Sequence, residues 1–77
     1  MTAKCLQALK PGEKGKIVSI GIRGGIRRRL VDIGVVSGTE VEVERVAPLG
    51  DPIEIKLKGF HLSLRKEDAA KIQVEVR

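Results

Sequence analysis

Short runs in which apolar and polar residues alternate recur along this chain, and glycine or proline separates them. Residues 39–43 (TEVEV), 53–58 (IEIKLK) and 72–76 (IQVEV) place Val, Ile or Leu at every second position. Successive side chains of a β-strand point to opposite faces of a sheet, so a period of two predicts a strand with one buried face. These runs therefore predict three strands whose apolar side chains face a common core.

Two further strands are predicted from less regular alternation. Residues 16–21 (KIVSIG) are expected to bury Val18 and Ile20. At Gly59 the apolar positions shift by one residue, which indicates a tight turn followed by another strand. The inward residues of that strand are expected to be Phe60, Leu62 and Leu64. The pattern predicts an all-β fold with short helices, a small five-stranded SH3-like barrel, because closing the sheet removes its exposed edges.

One segment has helical rather than strand periodicity. Ile26, Leu30 and Ile33 recur at i, i+4 and i+7, which predicts a short amphipathic helix. Gly34 follows this pattern and is expected to end the helix. A helix this short is marginal alone, so its apolar face is expected to pack on the barrel. Shorter helical turns are expected at residues 66–70 and at the N-terminus, around Cys5, Leu6 and Leu9.

The composition limits both the core and the location of the chain. Hydrophobic residues make up 42% of the 77 residues, but aromatic residues make up only 1%, so Val, Ile and Leu must build the core. A chain of this length is expected to form one domain, spanning residues 1–77. No apolar run approaches the roughly 18 residues that predict a membrane span, and no signal-peptide pattern occurs. A cytoplasmic location is therefore predicted.

Few residues in the chain carry catalytic or metal-binding chemistry. With one His, one Cys and no Tyr, the chain cannot assemble a catalytic triad, and neither a GxGxxG motif nor a P-loop occurs. We therefore expect that the protein is not an enzyme. Cys5 and His61 are the candidate metal ligands, but they lie far apart in sequence and outside any ligand-spacing motif. No cofactor is predicted; Cys5 is expected to be partly buried and His61 to face outward.

Positive charge is concentrated in the first part of the chain. Residues 1–31 carry eight Lys and Arg against one Glu, a net charge of +7, whereas the remainder carries seven against nine, a net charge of −2. A group of four arginines, Arg23, Arg27, Arg28 and Arg29, flanks the pair Gly24-Gly25. This group is either a solvated helix face or a docking surface for an acidic protein or for phosphates.

Several stretches of the sequence resemble the FeoA family, and the resemblance runs from end to end. The most specific are residues 47–55 (APLGDPIEI) and 62–69 (LSLRKEDA). Further matching positions are Leu6, Leu9, Pro11, Gly12, Gly15, Arg28, Arg29, Leu30, Ile33, Gly34, Gly38, Thr39 and Val41. The resemblance implies a cytosolic SH3-like barrel that assists FeoB, a membrane permease with a GTP-binding domain, in bacterial ferrous iron uptake.

Together with this resemblance, the charge pattern indicates where a partner would bind. Residues 47–52 form a loop made rigid by two prolines, and they are expected to act together with the arginines. The expected partner is the cytosolic side of a FeoB-like permease. The predicted contact residues are Arg23, Arg27, Arg28, Arg29, Leu49 and Asp51.

Two other functions are alternatives to binding a permease. A small basic barrel could bind nucleic acid, but such barrels stack bases on aromatic rings, and this chain has no Trp or Tyr. Nucleic acid is therefore not the expected partner. A stand-alone Fe(II)-binding or metal-binding regulator would need a cluster of ligands, which the sequence does not show.

Overall fold

Six antiparallel strands form one sheet in the computed structural model, which describes residues 2–76. The strands are β1 (Thr2–Cys5), β2 (Lys14–Ile20), β3 (Glu40–Val46), β4 (Ile53–Leu57), β5 (Phe60–Leu64) and β6 (Ile72–Val76). Two helices, α1 (Gly25–Ile33) and α2 (Lys66–Ala69), and a 3-10 helix (Leu6–Ala8) lie between them. The strand order is β1-β6-β2-β3-β4-β5. The domain predicted over residues 1–77 extends one residue beyond the described part at each end.

The sixth strand, β1, was not predicted from the sequence. It pairs with β6, so that Ala3 lies opposite Glu75 and Cys5 lies opposite Gln73. Residues 2–5 show no apolar alternation, so we attribute their extended conformation to the partner that β6 provides. The helical turn expected around Cys5 is confined to Leu6–Ala8.

One apolar core receives side chains from strands, helices and connecting segments, so the sheet must curl around it. Val41, Val43, Ile55, Leu57 and Leu64 are all buried, as the sequence predicts. The full set of buried apolar residues is Leu6, Leu9, Ile17, Ile22, Leu30, Val35, Val41, Val43, Ile53, Ile55, Leu57, Leu64, Ala69, Ile72 and Val74.

A β-bulge in β2 makes one inward assignment wrong. The pairing of β2 with β6 shifts register between Ile17 and Ser19, and Val18 is 47% exposed although it was expected inside. Ile17 is buried in its place, and Ile20 is partly buried against the core. The extra residue at the bulge shifts the alternation by one position. Counting back from Ile20 in steps of two therefore reaches Val18, although Ile17 is the buried residue.

The turn between β4 and β5 forms where the shift in apolar positions indicated it. Lys58 and Gly59 both have positive φ, 48° and 82°, and join the paired residues Leu57 and Phe60. Two left-handed residues between paired strands form a tight hairpin turn. Phe60 was expected inside but is 57% exposed, because β5 is an edge strand and no further strand covers its outer side in residues 2–76.

Helix α1 ends where the sequence predicts, but fewer of its apolar residues are buried than the sequence predicts. Gly34 has φ 114° and its N–H donates to the carbonyl oxygens of Leu30 and Val31, which terminates the helix. Leu30 is buried and Ile33 is partly buried, whereas Ile26, in the first turn, is 52% exposed. The packing expected of Ile26 is therefore wrong.

The two ends of the sheet are separate edges. β1 and β5 stand first and last in the strand order, and within residues 2–76 they do not pair with each other. The sheet therefore curls without the full closure that the strand pattern predicted. In the same residues, no helix is long and apolar enough to cross a membrane.

Candidate partner-binding surface

Four arginines lie at the surface before and along the first half of α1. We call Arg23, Arg27, Arg28 and Arg29 the arginine surface. All four side chains are exposed, and within residues 2–76 none of them forms an ion pair. Because no carboxylate of the described residues lies within ion-pair distance of these guanidinium groups, their charge is available to a ligand.

Buried residues on both sides of α1 fix the position of this surface. Ile22 precedes the helix and Val35 follows it, and both belong to the core. Together with Leu30 they hold the helix against the sheet, which leaves the arginines on the outer face. The sequence periodicity identified Leu30 but missed Ile22 and Val35, because both lie outside the helical repeat.

The start of α1 adds to the positive potential. Gly24 stands at the N-cap with φ 82°, no side chain caps the helix, and no acidic residue occurs in its first turn. The aligned peptide dipoles place partial positive charge at this end of a helix. A Cβ atom built on Gly24 or Gly25 would meet nothing within 4 Å, so the backbone there is open to a partner. The surface is therefore suited to a negatively charged group.

The opposite end of α1 contacts a residue that the sequence did not connect with it. A Cβ atom on Gly34 would lie 3.2 Å from Cδ of Lys58, so the Lys58 side chain runs along the end of the helix. A cation at this end complements the negative pole of the helix dipole. Lys58 follows Gly34 by 24 positions, and no local pattern marks the contact.

The loop over residues 47–52 is fixed by hydrogen bonds. The N–H of Gly50 donates to the Ala47 carbonyl at 2.7 Å, and the N–H of Ala47 donates to the Pro52 carbonyl at 3.1 Å. Leu49 projects from the loop and is 94% exposed. A single apolar side chain held outward in this way could contact an apolar site on a partner.

Asp51 connects this loop to the start of α2. Its Oδ1 accepts a hydrogen bond from the Lys66 N–H at 3.0 Å, at the first residue of α2. A carboxylate at this position satisfies a free N–H of the helix, as a capping residue does. The loop is thus held at the start of α2, whereas the end of α1 is held at the β4–β5 turn.

The two candidate metal ligands lie on strands at opposite ends of the sheet order. Cys5, on β1, is partly buried, and its Sγ lies 3.3 Å from Nε2 of Gln73. His61, on β5, is exposed, and its Nδ1 lies 2.7 Å from Oε1 of Glu44. Within residues 2–76 no group of three or more metal-ligating side chains occurs. The structure does not bring Cys5 and His61 into one site.

A family model described as "FeoA domain" matches residues 4–76. The chain belongs to the FeoA family. A curated relative, the Fe(2+) transport protein A/Fe(2+) transporter FeoB fusion protein of Porphyromonas gingivalis, is 41% identical over 71 residues. Those residues are 92% of this chain but 8% of the fusion protein, so the FeoA-family chain matches a small part of that relative.

Solved structures agree with the assignment to the FeoA family. The solution structure of FeoA from Chlorobium tepidum is 41% identical, with a TM-score of 0.88 over 92% of this chain and 68% of that one. FeoA from Stenotrophomonas maltophilia, solved with zinc and described as an SH3 domain protein, is 24% identical with a TM-score of 0.79. That match covers 97% of this chain and 91% of the other. The fold is thus SH3-like, with six strands in residues 2–76 rather than the predicted five.

Proposed function

We propose that this FeoA-family chain is a non-enzymatic, cytoplasmic accessory protein of ferrous iron uptake, acting by binding the cytosolic part of a FeoB-like permease. The observation that carries the proposal is the exposed arginine surface, whose four charges have no ion-pair partner within residues 2–76. An acidic surface on the partner would complement it and would steer the two proteins together.

The relative from Porphyromonas gingivalis supports the choice of partner. In that protein an Fe(2+) transport protein A is joined to the Fe(2+) transporter FeoB in one chain. Covalent linkage raises the effective concentration of one module near the other, so a contact between them needs little intrinsic affinity. In separate chains the same contact would have to be made by complementary surfaces, which is the task we assign to the arginine surface, with Leu49 as a second contact.

A titration with a charge-matched control tests the proposal. The 15N-labelled chain is mixed with the purified cytosolic domain of the FeoB-like permease from the same organism. The test variant replaces Arg27, Arg28 and Arg29 with Gln, which retains helix propensity while removing three charges. The control replaces Lys4, Arg45 and Lys71 with Gln, which lowers the net charge equally at other surfaces.

Binding should weaken by roughly 10- to 150-fold in the arginine variant, because each of the three lost interfacial charge pairs contributes about 0.5–1 kcal/mol. The dependence of affinity on salt should also become shallower. The control variant should bind within about threefold of the wild type. Equal weakening in both variants would mean that only net charge matters, and it would reject the arginine surface as the specific contact.

The same variants separate the alternative functions. Binding of the wild-type chain to a random DNA duplex at 150 mM salt, lost in the arginine variant, would favour a nucleic-acid partner over the permease. Stoichiometric Fe(II) binding in an anaerobic calorimetric titration would favour a metal-binding regulator. Neither result is expected from the proposed contact, which needs neither bases nor metal.

A further inference from the structure

Strand β5 presents a free edge. In the sheet order it pairs with β4 on one side only, and within residues 2–76 no strand lies on its other side. The two-residue turn makes Leu57 and Phe60 a directly hydrogen-bonded pair, so hydrogen-bonded pairs recur at every second residue along β5. The residues between them, His61 and Ser63, therefore direct their N–H and C=O groups outward from the sheet.

The residue types of β5 set it apart from the other strands. β5 reads FHLSL and is the one described strand without Lys, Arg, Asp or Glu, in a chain whose residues are 32% charged. The other edge strand, β1, carries the exposed Lys4. Charged side chains, proline and bulges are the usual means by which edge strands avoid pairing with another chain. β5 has none of these.

The side chains around β5 also leave the edge accessible. Phe60, at the start of the strand, is 57% exposed. The ring of His61 lies 2.7 Å from a carboxylate oxygen of Glu44, which belongs to β3. Because β4 lies between β3 and β5, this contact draws the imidazole across the face of the sheet and away from its edge.

We propose that two copies of this chain associate by antiparallel pairing of their β5 strands about a twofold axis at Leu62. In this register His61 of each copy lies opposite Ser63 of the other, and the outward backbone groups of both residues form four intermolecular hydrogen bonds. Leu62 faces its own counterpart, and Phe60 of each copy faces Leu64 of the other. No Lys, Arg, Asp or Glu side chains of the two β5 strands are brought together, and the exposed Phe60 ring gains a neighbouring strand.

A second copy fits this edge better than an unrelated charged segment. The strand is self-complementary in the register described, since every apolar position faces an apolar position and each polar position a polar one. A partner strand rich in Lys or Glu would find no opposite charge among FHLSL. The contact area of a five-residue strand is small, so the dimer is expected to be weak and to depend on protein concentration.

Sedimentation equilibrium over a wide range of protein concentration tests the proposal. Ser63→Pro removes two of the four hydrogen bonds, and edge strands tolerate proline where the N–H faces outward. The dissociation constant of the dimer should be at least about tenfold higher for this variant. Ser63→Lys keeps the backbone N–H and places a charged side chain on the edge, so it should also weaken the dimer. This variant remains informative if the proline variant does not fold. Lys4→Ser removes the charge from the other edge and should leave the dimer unchanged.

An isotope-filtered NMR experiment on a mixture of labelled and unlabelled chains identifies the register. We expect a contact between the Hα atoms of Leu62 in the two copies, because opposite residues of a non-hydrogen-bonded pair approach most closely there. A monomer at every concentration up to about 1 mM would overturn the proposal. At that concentration even a dimer with a dissociation constant of about 1 mM is substantially populated. A dimer that neither Ser63 variant weakens, or that Lys4→Ser strengthens, would also overturn it.

Discussion

Replacing Gly15 with Ala is expected to destabilise the protein, because β2 lies too close to β6 at this residue for a side chain. A Cβ atom at Gly15 would lie 3.1 Å from both Cβ and Cγ2 of Val74 and 3.2 Å from the Glu75 carbonyl oxygen. Val74 is fully buried and β-branched, so it has no free rotamer into which to move. The added methyl group must therefore displace Val74 or the neighbouring β6 backbone by a few tenths of an ångström.

Two opposing effects determine the size of this loss. Overpacking a well-packed core costs about 1–3 kcal/mol. Ala also restricts the unfolded chain more than Gly does, which offsets roughly 0.4–1 kcal/mol of that cost. The expected net loss is about 1–2 kcal/mol, which lowers the Tm by roughly 4–16 °C in a domain of this size.

A double-mutant cycle with Val74→Ala identifies the cause of the lost stability. The free energy of unfolding of each variant is measured with denaturant. The Val74 variant alone should lose about 1–3 kcal/mol, because it removes two buried methyl groups. It also removes the close contact with Cγ2, although Cβ of residue 74 and the Glu75 carbonyl oxygen stay in place. The double variant should therefore be more stable than additivity predicts by about 0.5 kcal/mol. An unchanged or raised Tm for Gly15→Ala would refute the close approach of β2 and β6. Strict additivity would show that Cγ2 of Val74 does not contribute to the obstruction.

Three further substitutions probe the core, a helix end and a loop. Leu64→Ala should cost about 2–5 kcal/mol in thermal unfolding, and an unchanged Tm would contradict its place in the core. Gly34→Ala should cost about 1–2 kcal/mol because of its positive φ. The control Gly25→Ala, whose methyl group meets nothing within 4 Å, should be neutral or stabilising by about 0.4–1 kcal/mol. Asp51→Ala should lose about 1 kcal/mol and shift the Lys66 amide resonance, whereas Asp51→Asn should retain most of the stability.

Alternation predicted the strands correctly where no bulge interrupts the buried positions. In β4 the inward positions Ile53, Ile55 and Leu57 are all buried. At Val18 the same rule failed, because a bulge is a property of how two strands pair and leaves no mark in one strand alone. Strand β1 was missed for a related reason, since its conformation depends on pairing with β6, about 70 positions away.

Edges and helix ends account for the remaining errors about burial. Phe60 and Ile26 both follow an apolar repeat, yet one lies on an edge strand and the other in the first turn of a helix, and they are 57% and 52% exposed. Periodicity gives the direction of a side chain but not whether another element lies in that direction.

The candidate site was predictable to the extent that it depends on local charge. The arginine surface follows from four neighbouring arginines on a segment with a single apolar stripe. The cap that Asp51 provides to α2 and the contact of Lys58 with Gly34 join residues 15 and 24 positions apart. Such contacts depend on the complete fold, and neither residue type nor spacing indicates them.

The arginine surface and the β5 edge should act independently, and this expectation can be tested with the variants already described. One structural connection between them is Lys58, which contacts Gly34 at the end of α1 and precedes β5 by two residues. Arg27 lies seven residues before Gly34, about 10 Å along the helix axis. A partner bound at the arginines therefore need not reach the edge strand.

We accordingly expect Ser63→Pro to weaken the dimer while leaving the affinity for the FeoB-like cytosolic domain within about threefold of the wild type. Replacing Arg27, Arg28 and Arg29 with Gln should have the opposite pattern, with reduced partner affinity and unchanged dimerisation. Both quantities can be measured on the same protein preparations by sedimentation and by NMR titration. If either variant changes both quantities, the two surfaces overlap, and one partner must displace the other.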